Sequence, residues 1–162
     1  IFNTHFSIDK NKIEKVNNDN IDNLINNQLN WLEDNLKLNK NKKKIVFGHY
    51  PIITNGYYKK RGEDVLIYNY LFEIFKKYNI SAYISGHEHN IQYIKRENDD
   101  FKLNQIIIGS SAENRHWEKD YSEKEDMYDN SDNFYARLVF DDRISIEYVN
   151  KKGIIVYTYN LD

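Results

Sequence analysis

Apolar residues recur at Ile21, Leu24, Ile25, Leu29, Leu32 and Leu36, a spacing that gathers them on one face of a 3.6-residue period. The pattern predicts an amphipathic helix that starts at Asp19 or Asn20, either of which can cap it. Asp22 suits the first turn, and Lys37 and Lys40 sit towards the C-terminal end, where cations are favoured. Trp31 is expected to widen the buried stripe. Ile45-Val46-Phe47 then forms a short unbroken apolar run, the mark of a strand buried on both faces, and Gly48-His49-Tyr50-Pro51 ends it. A polar loop follows, with turn signals at Asn55-Gly56 and Arg61-Gly62. Residues 63–78 read as a second helix with Leu66, Tyr70, Leu71, Ile74, Phe75 and Tyr78 inward. Residues 80–85 read as another strand, ended by Gly86-His87-Glu88-His89-Asn90.

Beyond Asn90 the helical period disappears. Strands are predicted over residues 91–95, 105–108, 134–140, 144–149 and 154–159. Gly109-Ser110-Ser111 ends the second of these, and a long acidic loop runs over about residues 112–132. Turns at Asp141-Asp142 and Lys152-Gly153 join the last three strands into a meander. Residues 1–7 also read as a short strand; the chain opens inside it and without Met, so a truncated or processed chain is expected. The order β-α-β-α-β followed by antiparallel strands predicts an α/β layered fold holding one face of helices and part of a sheet.

Composition adds bounds. The 162 residues are 40% hydrophobic and 15% aromatic, enough for one domain with a real core. Asn and Lys are abundant but interspersed with apolar anchors, as a coding bias on surface positions would leave them. A net charge of −2 disfavours nucleic acid as a partner, and Lys42, Lys43 and Lys44 read as a solvated connection from helix to strand. With no cysteine there is no disulfide framework and no thiolate chemistry. No apolar run approaches the roughly 18 residues of a membrane span. The sequon Asn79-Ile80-Ser81 lies at the entrance to a strand, a poor place for a glycan.

Two strands end alike, in an apolar run, a glycine and a histidine, and Gly48 and Gly86 are each expected to let the backbone turn sharply there. Active groups in α/β sheets gather at the carboxyl ends of strands. If the two strands are neighbours, His49 and His87 enter one crevice, and His89 adds an imidazole from the same loop. Neutral imidazole binds Zn, Fe and Mn and leaves them Lewis-acidic. Two such metals about 3.5–4 Å apart suit phosphoryl chemistry, holding both attacking and non-bridging oxygens. The pair His87-x-His89 can face two metals or chelate one. Either motif alone is a weak signal; together, in a chain with five histidines, they predict a metal site. His5 reads as a packed or edge histidine and His116 as a surface one.

Gly48-His49-Tyr50-Pro51 and Gly86-His87-Glu88-His89-Asn90 resemble the GHxP and GHxHN blocks of calcineurin-like metallophosphoesterases, more narrowly the tartrate-resistant or purple acid phosphatases. Gln28-Leu29-Asn30-Trp31-Leu32 resembles that family's Q-L-x-W-L helix. Ser81 to Gly86 resembles its strand into GHxH, and Ile108-Gly109-Ser110-Ser111-Ala112 its G-[AS]-G turn. The resemblance implies the C-terminal half of one four-layer αββα domain over residues 1–162, a mixed sheet closed by an antiparallel meander. It implies that His49 and His87 bind a divalent metal and His89 a ferric iron, the pair being Fe with Fe, Zn or Mn. Asn90 would orient the loop from behind, while Tyr50 and Pro51 shape the loop that carries His49. The implied activity is hydrolysis of phosphomonoesters by a metal-bound hydroxide, in the secretory pathway, a vacuole or outside the cell.

Departures accompany the likeness. The family's GDxG, GDNxY and GNH[DE] blocks have no counterpart here and are expected upstream of Ile1, with the bridging carboxylate and the general-acid histidine among them. This chain alone is therefore expected to be inactive, its missing partner being the N-terminal half of the same domain. The histidine that mammalian members carry further along the GHxP loop is here Tyr58; Tyr58, Lys59 and Arg61 are the candidates to contact phosphate in that loop. Asn55 to Gly62 resembles apicomplexan members, among them a membrane-anchored, glideosome-associated protein that is phosphatase-like and serves as a scaffold. A non-catalytic scaffold with a protein or membrane-complex partner is thus the alternative. Retention of all three histidines favours activity.

Overall fold

Side chains that alternate across two central strands set the layers. Each of these strands buries both of its faces, so a core forms on either side of one sheet. A computed structural model describes residues 18–61, 63–98, 101–110 and 126–161. The helices are α1 (Asn18–Leu38) and α2 (Glu63–Tyr78), with a 3₁₀ turn at Tyr57–Arg61 between them. The strands are β1 (Ile45–Phe47), β2 (Ala82–Ser85), β3 (Ile91–Asn98), β4 (Phe101–Ile108), β5 (Met127–Asp129), β6 (Phe134–Phe140), β7 (Ile144–Asn150) and β8 (Ile155–Asn160). Five of them form a mixed sheet in the order β1-β2-β4-β3-β5, and β6-β7-β8 form an antiparallel one.

Tyr83 of β2 and Leu103 of β4 face the helices, where Leu32 and Leu36 of α1 and Leu71 and Phe75 of α2 complete one core. Ala82 and Ile106, on the opposite faces of the same strands, meet Ile146 and Tyr148 of the antiparallel sheet in a second core. Burying a Leu or Phe side chain is worth roughly 1.5–3 kcal/mol. Among the described residues the layers therefore run helix, mixed sheet, antiparallel sheet, the α/β arrangement with a closing meander that the patterning predicts. Lys77 of α2 and Glu33 of α1 form an ion pair of 2.9 Å across the helix layer.

Helix α2 stops where Asn79 takes a left-handed backbone, φ 49°. Ile80 N–H then reaches Phe75 O at 3.1 Å and Asn79 N–H reaches Lys76 O at 3.2 Å. These are the paired bonds of a Schellman termination.

Four expectations are corrected. Trp31 is 52% exposed, because the buried seam of α1 runs through Ile25, Leu32 and Leu36 and leaves Trp31 on the flank. Phe47 is 42% exposed rather than buried on both faces, because β1 is the end strand of the described sheet. The strands flanking the turn after Asn98 are longer than predicted: β3 and β4 pair from Ile91↔Ile108 to Asn98↔Phe101, so cross-strand bonding carries polar residues into the ladder. Part of the predicted acidic loop is strand β5, recruited by β3 through Ile91↔Asp129 and Tyr93↔Met127. The expected strand at residues 1–7, His5 and His116 lie outside the described residues.

Candidate metal centre

Strands β1 and β2 are parallel neighbours, with Ile45 opposite Ala82 and Phe47 opposite Ile84. Gly48 N–H extends their ladder to Ile84 O at 3.0 Å, and Gly86 N–H continues it to His49 O at 3.0 Å. The two Gly-His ends therefore leave the sheet side by side. The His49 and His87 ring centroids stand 5.3 Å apart with planes at 68°.

The glycines contribute differently. A Cβ on Gly48 would run into the phenol of Tyr83, whose hydroxyl donates to Tyr50 O at 2.8 Å. Burial pushes that phenol well above its ordinary range. Gly86 was expected to take the sharp turn, but a Cβ there would make only an ordinary contact with Ile108 O. The turn falls on His87 itself, at φ 66°. A non-glycine residue in that region carries roughly 1–3 kcal/mol of strain, held only where surrounding structure over-determines it, and such residues cluster at functional sites. Bonds between near neighbours, Glu88 N–H to Gly86 O at 2.8 Å and Asn90 N–H to Glu88 O at 2.7 Å, coil the rest of the loop tightly. Gly109 packs so closely under Glu88 O that no Cβ fits there either.

Two tyrosines pack on His87. The Tyr50 ring lies 4.0 Å from it, and the Tyr58 ring lies 3.9 Å away, tilted by 31°. Tyr58 is thus a neighbour of the His87 ring. Asn90 is buried behind the loop: Gln92 Nε2 donates to its Oδ1 at 2.8 Å, and Gly109 N–H donates to its carbonyl at 3.0 Å. Pro51 is buried, and beyond it Ile52 N–H donates to Gln105 Oε1 at 3.0 Å, which ties the His49 loop to β4.

Two neutral imidazoles are a donor pair suited to Zn, Fe or Mn. Rings bound to one such cation at about 2.0–2.1 Å stand with centroids about 5 Å apart. The observed 5.3 Å fits. Among the described residues no three His, Cys, Asp or Glu side chains form a group able to hold a metal, so His49, His87 and His89 do not make one three-ligand cluster. The side chain of Arg61 lies outside the described ones.

Several residues that build the site were not singled out from sequence. Gln92 and Gln105 are fully buried, and Asp126 nearly so. Asp126 takes a two-pronged ion pair from Arg96, both contacts 2.8 Å, and a bond from Asn55 Nδ2 at 2.8 Å. Gln92 Oε1 accepts from Asn55 N–H at 2.8 Å. The available signal was a polar residue where a strand's alternation calls for an apolar one, as at Gln92 and Gln105.

Residues 1–90, more than half of the chain, match the pattern that defines calcineurin-like phosphoesterases, a stretch ending on Asn90. The chain is 35% identical to rat tartrate-resistant acid phosphatase type 5 over 71 residues, 44% of this chain and 21% of that one. It superposes on a solved structure titled GAP50, the anchor in the inner membrane complex of Plasmodium, with TM-score 0.62 and 28% identity, over 85% of this chain and 42% of that one. It also shares the fold of a purple acid phosphatase from yellow lupin seeds, TM-score 0.69 at 16% identity, over 82% of this chain and 28% of the lupin chain. The chain thus spans about a fifth of the length of the curated phosphatase it matches. With the pattern running through both Gly-His strand ends and the fold shared, the chain belongs to the calcineurin-like phosphoesterase family.

Proposed function

We propose that this chain supplies one wall of a two-metal phosphomonoesterase site, as the C-terminal half of a single metallophosphoesterase domain whose other half brings the bridging carboxylate. The observation that carries this reading is the His49–His87 pair, 5.3 Å apart at the carboxyl ends of adjacent parallel strands. His49 and His87 would hold one cation, and His89, two residues beyond His87 in the same tight loop, would hold the second. Iron with iron, zinc or manganese suits these donors. When bound, the cations place positive charge against the phosphoryl oxygens and acidify water at the site.

The chain's own residues then have defined tasks. The ladder bond from Gly86 N–H to His49 O keeps the two ligand loops in register. Tyr50 and Tyr58 crowd the His87 ring and keep it from turning. Asn90 braces the loop from behind through Gln92. A place in the secretory pathway, a vacuole or the extracellular space accompanies the acid-phosphatase reading.

Metal analysis and hydrolysis of p-nitrophenyl phosphate by the full-length protein test the proposal. His49→Ala and His89→Ala should each lower kcat by at least 100-fold and reduce bound metal; unchanged turnover in either variant would sink the assignment. A second reading, a phosphatase-like scaffold for a membrane complex, is favoured by the likeness to the Plasmodium anchor over 85% of this chain. Full-length protein that takes up no metal and hydrolyses nothing would select it.

A further inference from the structure

Glu88 stands between the two histidines of the GHxHN loop, and its side chain is wholly buried. A carboxylate removed from water is costly unless donors surround it. Here Thr54 Oγ1 donates at 2.7 Å, and the N–H groups of Tyr57 and Tyr58 donate at 3.0 Å each. Those two amides open the 3₁₀ turn at Tyr57–Arg61, where the first N–H groups find no acceptor within the turn itself. Thr54 Oγ1 in turn accepts from Gly56 N–H at 2.9 Å and from Gln92 Nε2 at 3.1 Å. Gly56 packs against the carboxylate so closely that a Cβ there would overlap it. One carboxylate therefore anchors a whole segment of the loop that follows His49. Tyr58, whose amide it holds, lays its ring 3.9 Å from His87.

We propose that Glu88 is a positioning residue for the His87 imidazole: its carboxylate fixes the 54–58 segment, and Tyr58, so placed, sets the plane in which His87 faces a metal ion. This rests on His87 being a ligand. The ring of His87 is held from outside by Tyr50 and Tyr58, on a backbone that is itself in a sparsely populated region. Glu88→Gln keeps the shape but turns an amide nitrogen towards at least one N–H or O–H donor, and the segment loosens. Gly56→Ala disturbs the same contact from the other side without touching Glu88 or a ligand.

The test uses full-length protein, with the His87 ring signals identified by comparison with His87→Ala. In metal-free protein, the His87 ring proton shifts of Glu88→Gln and Gly56→Ala should move towards those of Tyr58→Leu, which lacks the stacked ring. Titrated with Zn²⁺ alone, both should bind about 10- to 100-fold more weakly than wild type, the usual loss when an outer partner of a metal ligand is removed. Unmoved ring signals in both variants overturn the proposal, as does a fall in melting temperature that leaves those signals in place, since Glu88 would then serve stability alone. If wild type takes up no Zn²⁺ while the ring signals still respond, the metal reading above fails and the positioning of the ring stands.

Discussion

At the scale of single residues, His87 joins two demands in one position. Its ring is crowded by Tyr50 and Tyr58, and its backbone sits at φ 66°, where a Cβ meets the neighbouring carbonyl. The two demands separate experimentally. His87→Gly and His87→Ala remove the same imidazole, yet only alanine keeps the backbone penalty. In metal-free protein the glycine variant should be more stable than the alanine variant by about 1 kcal/mol. Equal or reversed stabilities in urea unfolding would mean that the turn is not strained. Glycine is the residue expected at such a turn, and here it precedes the turn by one position. Sequence reading placed the conformational burden on Gly86 for that reason. What it could not see is that the ladder bond from Gly86 N–H to His49 O keeps Gly86 in strand-like register and moves the turn onward.

At the scale of elements, boundaries follow local chemistry where a side chain or turn residue ends the element by itself. Asn79 closes α2 in a left-handed conformation, φ 49°, which Asn tolerates better than most residues. Asn79→Ala should cost about 1 kcal/mol and Asn79→Gly about nothing, as read from melting curves of the two variants. A lower melting point for the glycine variant would show that the Asn side chain, rather than the backbone, closes the helix. Both helices, β1 and the closing meander were legible because period and turn chemistry act within a few residues. Strand β5 and the extended ends of β3 and β4 were not. Met127-Tyr128-Asp129 has no strand signature of its own and becomes a strand only because β3 offers it unpaired backbone. The histidines were legible as motifs at strand ends. Their support was not: nothing in the local sequence marks Glu88 for a role, and Asp126 falls in a predicted loop. Each acquires a role only when a partner distant in sequence arrives.

For the whole molecule, two cores share one sheet, and both are rich in buried phenols. Burial pushes Tyr93 and Tyr157 up to about 12, and it drives Tyr83 and Tyr148 higher still. A tyrosine raised in the folded state favours folding while the unfolded chain's tyrosines are also protonated. That contribution is complete below about pH 10, the ordinary tyrosine value, and is lost as pH rises through the folded-state values. Stability in urea should therefore hold up to about pH 10 and fall steeply between there and pH 12, with absorbance at 295 nm rising together with unfolding. Tyrosinate absorbance that appears well before the loss of structure would show that these phenols are open to solvent.

The bond between Thr54 and Glu88 joins positions 34 residues apart, and the one between Asn55 and Asp126 joins positions 71 apart. Hairpins such as β3–β4 close across a few residues, whereas these contacts require long loops to be drawn shut. Contacts of that kind slow folding, because chain entropy is lost before the contact returns anything. The pair of imidazoles is accordingly not a property of any local stretch. A nascent or partly folded copy carries the histidines without the grip that aims them, and their rings take up this geometry only after the distant strands have met.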